Sequence, residues 1–213
     1  MEAAVLSYEF WDKQIASEAE RLGFDDGYKI LYGPWETIGN SDTVFLSLNP
    51  GCPPHGADLF SISDERGNSY EVEKYTTLSP ITAQFLALAD LLELQPKQIL
   101  TGTVAPFRSN RWMSISLSQR RGALEVGKRF WEDVFATNRP KRVICCCPQA
   151  RKITSEILDA TLEMTISSGW GNTSLHRFRA KDGALIAQIP HLSTFKLLSR
   201  PACIAPLKLI LDL

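Results

Sequence analysis

Three short segments of this 213-residue chain hold the side chains best suited to chemistry. They are Leu48-Asn49-Pro50-Gly51, the run from Ala105 through Arg108, Ser109, Asn110 and Arg111 to Trp112, and Pro190-His191-Leu192-Ser193. An amide can orient a water through its carbonyl oxygen, and a neutral imidazole can donate from a ring N–H. Arg and Lys neutralise phosphates, and an interleaved aromatic can stack or wedge where a base leaves a duplex. Taken singly, Asn-Pro-Gly reads as a turn, a lone His at a strand end as structural, and an Arg/Trp loop as a solvated loop with a packed ring. The sequence has no G-x-S-x-G elbow and no P-loop, which lowers the standing of an unrelated hydrolase or transferase. A thiol nucleophile at Cys52 with His55 as its base is a remote alternative. No His/Cys/Asp set has zinc spacing, so neither a metal nor a cofactor is expected.

These segments draw meaning from the elements that carry them. Apolar residues at helical spacing predict a helix over Tyr8–Leu22, stopped by Gly23. Thr43–Leu48 reads as a strand ending in the Asn-Pro-Gly turn. Cys52–Tyr75 is rich in Gly, Pro, Ser and charge and has no period, so a long loop is expected there. A helix over Pro80–Leu94 is predicted with Ser79 as its cap and Pro80 in its first turn. Gln98–Val104 reads as a strand, Ser118–Phe135 as an amphipathic helix, Arg142–Cys147 as a strand and Gln149–Leu158 as a helix. Leu175–Ala180 and Leu185–Ile189 read as strands around a Lys181-Asp182-Gly183 turn. A short helix is expected near Ser193, and Leu207–Leu213 as a terminal helix or strand. Strands alternating with helices predict one α/β domain over residues 1–213, three-layered α/β/α with a mostly parallel central sheet. In such sheets ligands bind beyond the carboxyl ends of the strands, where the three segments fall in succession.

Composition agrees with a globular, water-exposed chain: 44% hydrophobic and 22% charged, with no apolar run long enough to span a bilayer. The net charge of −1 conceals an asymmetry. Residues 1–100 carry 6 Lys+Arg against 16 Asp+Glu, whereas residues 101–213 carry 17 against 8. A basic face is therefore available for nucleic acid. Five cysteines, three of them adjacent at Cys145–Cys147, predict free thiols in a reducing compartment, and Met1–Phe10 does not read as a signal peptide. A cytoplasmic monomer is expected. The three adjacent cysteines are read as buried strand residues.

The order of the motifs resembles the uracil-DNA glycosylase superfamily. There the first strand ends in a motif such as GQDPYH, or GINPG and GMNPG in the mismatch-specific and single-strand-selective branches, and the last ends in HPSP or a variant. Here the first motif reads Ser47-Leu48-Asn49-Pro50-Gly51, close to the GINPG branch. The last reads His191-Leu192-Ser193-Thr194, which matches His and Ser but lacks both prolines. The resemblance spans roughly Thr43 to Arg200.

The resemblance implies a monofunctional DNA glycosylase, releasing uracil or another damaged or modified base. Glycosidic cleavage passes through an oxocarbenium-like sugar and an anionic base, so the site needs a positioned water, a donor to the base and a pocket for the flipped nucleotide. Asn49 then matches the water-holding position, and His191 the donor to the base carbonyl. Leu48, Pro50 and Gly51 line the nucleotide, Ser193 supports the phosphate backbone near it, and Phe60 is the candidate for stacking on the base. Gly51 stands where the GQDPYH branch has a thymine-excluding Tyr, which predicts a permissive pocket. The superfamily often reads the pyrimidine edge with an Asn at the end of the second strand. That region here is Thr101-Gly102-Thr103, leaving Thr103 or Asn110 for the role. Arg108, Arg111, Trp112, Lys196 and Arg200 are the expected DNA contacts. Cys52, Cys145–Cys147 and Cys203 lack the four-cysteine spacing that holds an iron–sulfur cluster in some branches. The competing expectation is a non-catalytic nucleobase- or nucleic-acid-binding module on the same fold.

Overall fold

Local signals set the helix ends in the computed structural model, which describes residues 6–51, 58–76 and 78–213. Helix α1 (Tyr8–Leu22) starts where Ser7 accepts from the Phe10 N–H and stops at Gly23, whose φ of 70° closes the last turn. After the short α2 (Thr37–Asn40) come β1 (Thr43–Ser47), α3 (Ser69–Glu73) and α4 (Pro80–Leu91), the last capped by Ser79 with Pro80 in its first turn. β2 (Ile99–Thr103) leads to α5 (Leu117–Thr137), which opens with a reciprocal Ser116/Gln119 capping box. β3 (Arg142–Cys145) runs into α6 (Pro148–Ile157), and then follow β4 (Ala160–Ser167), β5 (Ser174–Ala180), β6 (Leu185–Gln188), α7 (Leu192–Phe195) and α8 (Pro201–Leu211).

The six strands form one sheet in the order β2-β1-β3-β6-β5-β4. β2, β1, β3 and β6 are parallel, while β5 runs antiparallel to both β6 and β4. Successive strand residues point to opposite faces, and the two cores sort accordingly. Val44, Leu46, Val143, Cys145 and Ile186 pack with α1, α5 and α6 residues such as Trp11, Ile15, Phe130, Trp131 and Ile153. Phe45, Ile144, Cys146, Leu185 and Ala187 pack with Phe85 and Leu88 of α4 and with Leu207 and Ile210 of α8. Helices thus cover both faces of a mostly parallel sheet, a layout compatible with three α/β/α layers.

Several elements depart from the sequence reading: α2 was not expected, and α8 starts at Pro201 rather than at Leu207. β4 was not expected, although Leu162, Met164 and Ile166 alternate with Thr161, Glu163 and Thr165 in the period of a strand. As the edge strand it is mostly exposed and carries a register shift between Leu162 and Met164. The long loop after β1 holds α3, and it is tied to residues 28–33 by Tyr28 N–H to Leu59 O, Leu31 N–H to Ile62 O and Ser69 N–H to Tyr32 O. β3 ends at Cys145, and Cys147 is a helix cap rather than a strand residue, its Sγ accepting from the Ala150 N–H at 3.3 Å.

Helix α5 reaches the end of β2 because Gly127 presents no side chain: a Cβ there would collide with the Val104 carbonyl. The Trp131 indole also donates to the Thr103 carbonyl at 2.8 Å. Gly127→Ala is therefore expected to lower the urea midpoint of unfolding by an amount equivalent to about 1–3 kcal/mol. An unchanged midpoint would show that helix and strand can separate without penalty.

Candidate functional site

Parallel pairing aligns the strand ends. Leu46 pairs with Cys145, Cys145 with Gln188, Gln188 with His176, and His176 with Thr165, giving one row across five strands. Asn49 lies three residues beyond this row on one chain exit, and His191 three residues beyond it on another. Both therefore leave the same carboxyl edge of the sheet with only β3 between them, about 10 Å apart at the backbone by strand spacing.

The Asn49 amide is held in one orientation. Its Nδ2 donates to the Pro50 carbonyl at 2.9 Å and to the Ser109 carbonyl and hydroxyl at 3.3 Å each. Carbonyl oxygens only accept, so the amide nitrogen must face them. Its Oδ1 receives no hydrogen bond from a described residue, leaving an acceptor at the strand ends. The Ser109 N–H in turn donates to Pro50 O at 3.2 Å, and the Ala105 N–H to Leu48 O at 2.8 Å. The Asn-Pro-Gly turn and the loop after β2 are thereby one unit.

His191 precedes the first turn of α7, and its Nδ1 lies 2.7 Å from the Ser193 hydroxyl. Burial pushes the imidazole below its usual value, favouring the neutral ring. In the tautomer where Ser193 donates to Nδ1, the ring proton sits on Nε2 and that nitrogen is a donor; in the other, Nδ1–H donates to the Ser193 hydroxyl.

A cleft of about 240 Å³ opens beside the first motif, lined by Gly51, Arg108, Ser109, Asn110, Leu59 and the pair Asp25 and Asp26. A Cβ on Gly51 would meet no described atom within 4 Å. Arg108 reaches the Gly51 carbonyl at 3.3 Å and is only 6% exposed. It braces the motif from within the fold more than it offers a surface cation. Asp25 and Asp26 give this end of the edge a negative rim, which disfavours a phosphate there.

A scan against models of protein families finds no match to this chain. A search of curated proteins finds none either. What the site can do therefore rests on its own geometry.

The remaining sequence candidates separate into groups. Leu48 and Pro50 belong to the bonded turn, and Asn110 is exposed at the cleft. Thr103 is 0% exposed, and its hydroxyl donates to the Lys29 carbonyl at 3.1 Å, so it has no surface with which to read a base. Phe60 is 55% exposed and meets Tyr28 edge to face at 5.8 Å, while its neighbour Leu59 lines the cleft. Arg111 is exposed and Trp112 packs partly on the core. Lys196 is exposed with a φ of 49°, and Arg200 lies over the Trp170 ring. Cys52 and His55 lie outside the described residues. Cys145, Cys146, Cys147 and Cys203 are free thiols, and burial pushes the Cys147 thiol up to about 11, far from a reactive thiolate. Among the described residues no group of three or more His, Cys, Asp or Glu converges on a metal position, and no helix is long and apolar enough to cross a membrane.

Two groups escaped the sequence analysis. Trp170 sits in a Gly-Trp-Gly turn, the one local signal for it. Asp64 gathers Lys29, Arg66 and Ser69 around a buried carboxylate, and no spacing announces it.

Proposed function

We propose that this protein is a uracil-DNA glycosylase-like enzyme acting on DNA as a monomer, hydrolysing the N-glycosidic bond of a flipped uracil or other altered base. The observation that carries the reading is that Asn49 and His191 leave the same carboxyl edge of the sheet, with Asn49 Oδ1 receiving no hydrogen bond from a described residue and the His191 ring held through Nδ1. Asn49 Oδ1 orients a water for attack on the sugar carbon. An amide is no effective base, so the bond to the base must be largely broken before the water adds. Negative charge then builds on the departing base, and the His191 Nε2–H donates to its carbonyl oxygen. A neutral donor suits this role because the ring keeps its proton throughout. The water gives its hydrogen to solvent or to the released base, so the products are free base and an abasic sugar.

A glycine at position 51, whose Cβ would meet no described atom within 4 Å, supports a permissive pocket at the pyrimidine 5-position. The burial of Thr103 favours a base recognised otherwise than through an edge-reading side chain at the end of the second strand. It also keeps a non-catalytic nucleobase-binding module as the second reading.

The test is excision from labelled oligonucleotides carrying one uracil, hypoxanthine, xanthine or mismatched thymine, single- and double-stranded, with alkaline cleavage reporting abasic sites. Cleavage of one substrate, lost in Asn49→Ala and His191→Ala, supports the enzyme. Folded wild-type protein that cleaves none of them moves the reading to the binding module. Gly51→Tyr is expected to cut excision of 5-methylated bases by at least about tenfold relative to uracil, the selectivity that a steric clash of 1–3 kcal/mol produces. Equal losses on both bases would separate the cleft from base choice.

A further inference from the structure

The aligned row that places Asn49 and His191 also places the β4–β5 turn. Counting three residues outward from His176 and Thr165 reaches Thr173 and Ser168. The Ser168 N–H donates to Thr173 O at 2.9 Å, and the two hydroxyls are hydrogen-bonded. Trp170 is at the tip of this turn, on the same edge as His191, and the turn is separated from the His191 strand by one to two strand spacings along that edge.

The turn is held against the chain that follows His191. Gly169, with a φ of 79°, touches the Ala202 backbone so closely that a Cβ would collide with its carbonyl. The Arg200 guanidinium lies 3.5 Å from the Trp170 ring centroid, and its Nε donates to the Phe195 carbonyl at 3.1 Å. Neither terminal nitrogen of Arg200 has a described acceptor. Trp170 is nonetheless 44% exposed, so one face is covered by the cation and indole surface remains open. A large aromatic left open at a strand-end edge, braced by an arginine with unused donors, is suited to a stacked base and its phosphate together. Lys196 is exposed in the same segment. The negative rim at Asp25 and Asp26 lies beyond β1 and β2, toward the opposite end of the edge.

We infer that Trp170 and Arg200 form a stacking platform for single-stranded DNA, taking an undamaged base that neighbours the one at His191 along the same sheet edge. The base lies on the open surface of the indole, and Arg200 contacts the adjoining phosphate. This rests on the glycosylase reading for its register but not for its binding chemistry.

Binding of a fluorescein-labelled 12-nucleotide oligo-dT, which holds no excisable uracil, tests it over a range of salt. Trp170→Ala is expected to weaken binding roughly 5- to 100-fold, and Trp170→Phe to keep most of it. Arg200→Ala is expected to weaken binding and reduce the salt slope by about one. Should the alanine variant fail to fold, wild-type tryptophan quenching on binding, absent in Trp170→Phe, carries the same information. Wild-type affinity and salt slope in folded Trp170→Ala, or quenching unchanged in Trp170→Phe, overturns the platform, as does a wild-type protein that binds no oligo-dT. Excision of a damaged base without dependence on Trp170 overturns the platform alone. Binding through Trp170 without any excision leaves it standing and removes the enzyme.

Discussion

Replacing His191 by alanine is expected to slow base excision by about 10²–10³-fold, the usual cost of losing one donor to a developing anion. The loss should fall on the rate at saturating substrate, with little change in DNA affinity, because the donor acts on charge that appears only as the bond breaks. His191→Gln, which restores an N–H of similar reach, should recover part of it. The pH profile supplies a second reading. Burial holds the His191 imidazole below its ordinary 6.5, so the ring stays neutral in the folded protein down to a lower pH than in the unfolded chain. Excision should hold across neutral pH and fall only as pH drops through that lowered value. There Nδ1 gains a proton and can no longer accept from Ser193. The same shift bears on folding. Below pH 6.5 the unfolded chain takes up a proton that the native ring refuses, so His191 subtracts stability as the medium is acidified. In His191→Ala the acid limb of the rate profile should disappear from whatever activity remains. A variant within threefold of wild type, with its acid limb intact, would falsify the donor role.

Asp64→Ala is expected to destabilise the fold by about 3–5 kcal/mol, because it strands a buried cation. The Asp64 carboxylate is 4% exposed and receives Lys29 at 3.0 Å, Arg66 at 2.8 and 2.9 Å and Ser69 at 2.8 Å. Lys29 is itself only 12% exposed. Burial pushes the carboxyl up, but the Arg66 hydrogen bonds, the Lys29 charge and the Ser69 hydroxyl outweigh it and hold the group well below the carboxylate range. Burial likewise pulls the Lys29 ammonium down, with Asp64 opposing it. Since the folded value for Asp64 is depressed, its contribution is complete above the ordinary 3.8 and is lost as pH falls toward the folded value. Urea midpoints at pH 7 and pH 3 should therefore differ more in wild type than in Asp64→Ala. The effect should also reach the cleft. Asp64 ties the segment bearing Leu59 and Phe60 to residues 28–33, which in turn bond to the end of β2 through Lys29 N–H to Pro106 O and Thr103 N–H to Ile30 O. Equal stability of variant and wild type at pH 7 would mean that Lys29 finds water or another partner at no cost.

Much of the frame was legible before any coordinates. Ser79 and Gly23 act within one turn of their own position, so their capping roles are local facts of the chain. The apolar runs Thr43–Ser47 and Ile99–Thr103 have little alternative to burial, and strands alternating with helices leave few ways to cover both faces of a sheet. That reasoning also put the three chemical segments at strand ends. It missed β4 because a half-exposed edge strand next to a helix carries a weaker burial signal than its alternation deserves.

Side-chain commitments were not legible, since they depend on partners far away in the chain. Thr103 looked available for a base, but its hydroxyl meets Lys29 once residues 28–33 lie along β2. Arg108 looked like a surface cation, but packing folds it under Gly51. Trp170 and Arg200 are 30 positions apart and have no shared period, yet a hairpin and a helix start bring them face to face. The sequence alone determined most of the elements, their alternation in layers and the motifs at their ends, because caps, turns and hydrophobic periods act over a few residues. Tertiary structure alone decided which of those side chains still have an atom to offer, because hydrogen bonds and ring contacts between distant segments remove some from service while leaving Asn49 Oδ1 without a described donor and the Trp170 ring 44% exposed.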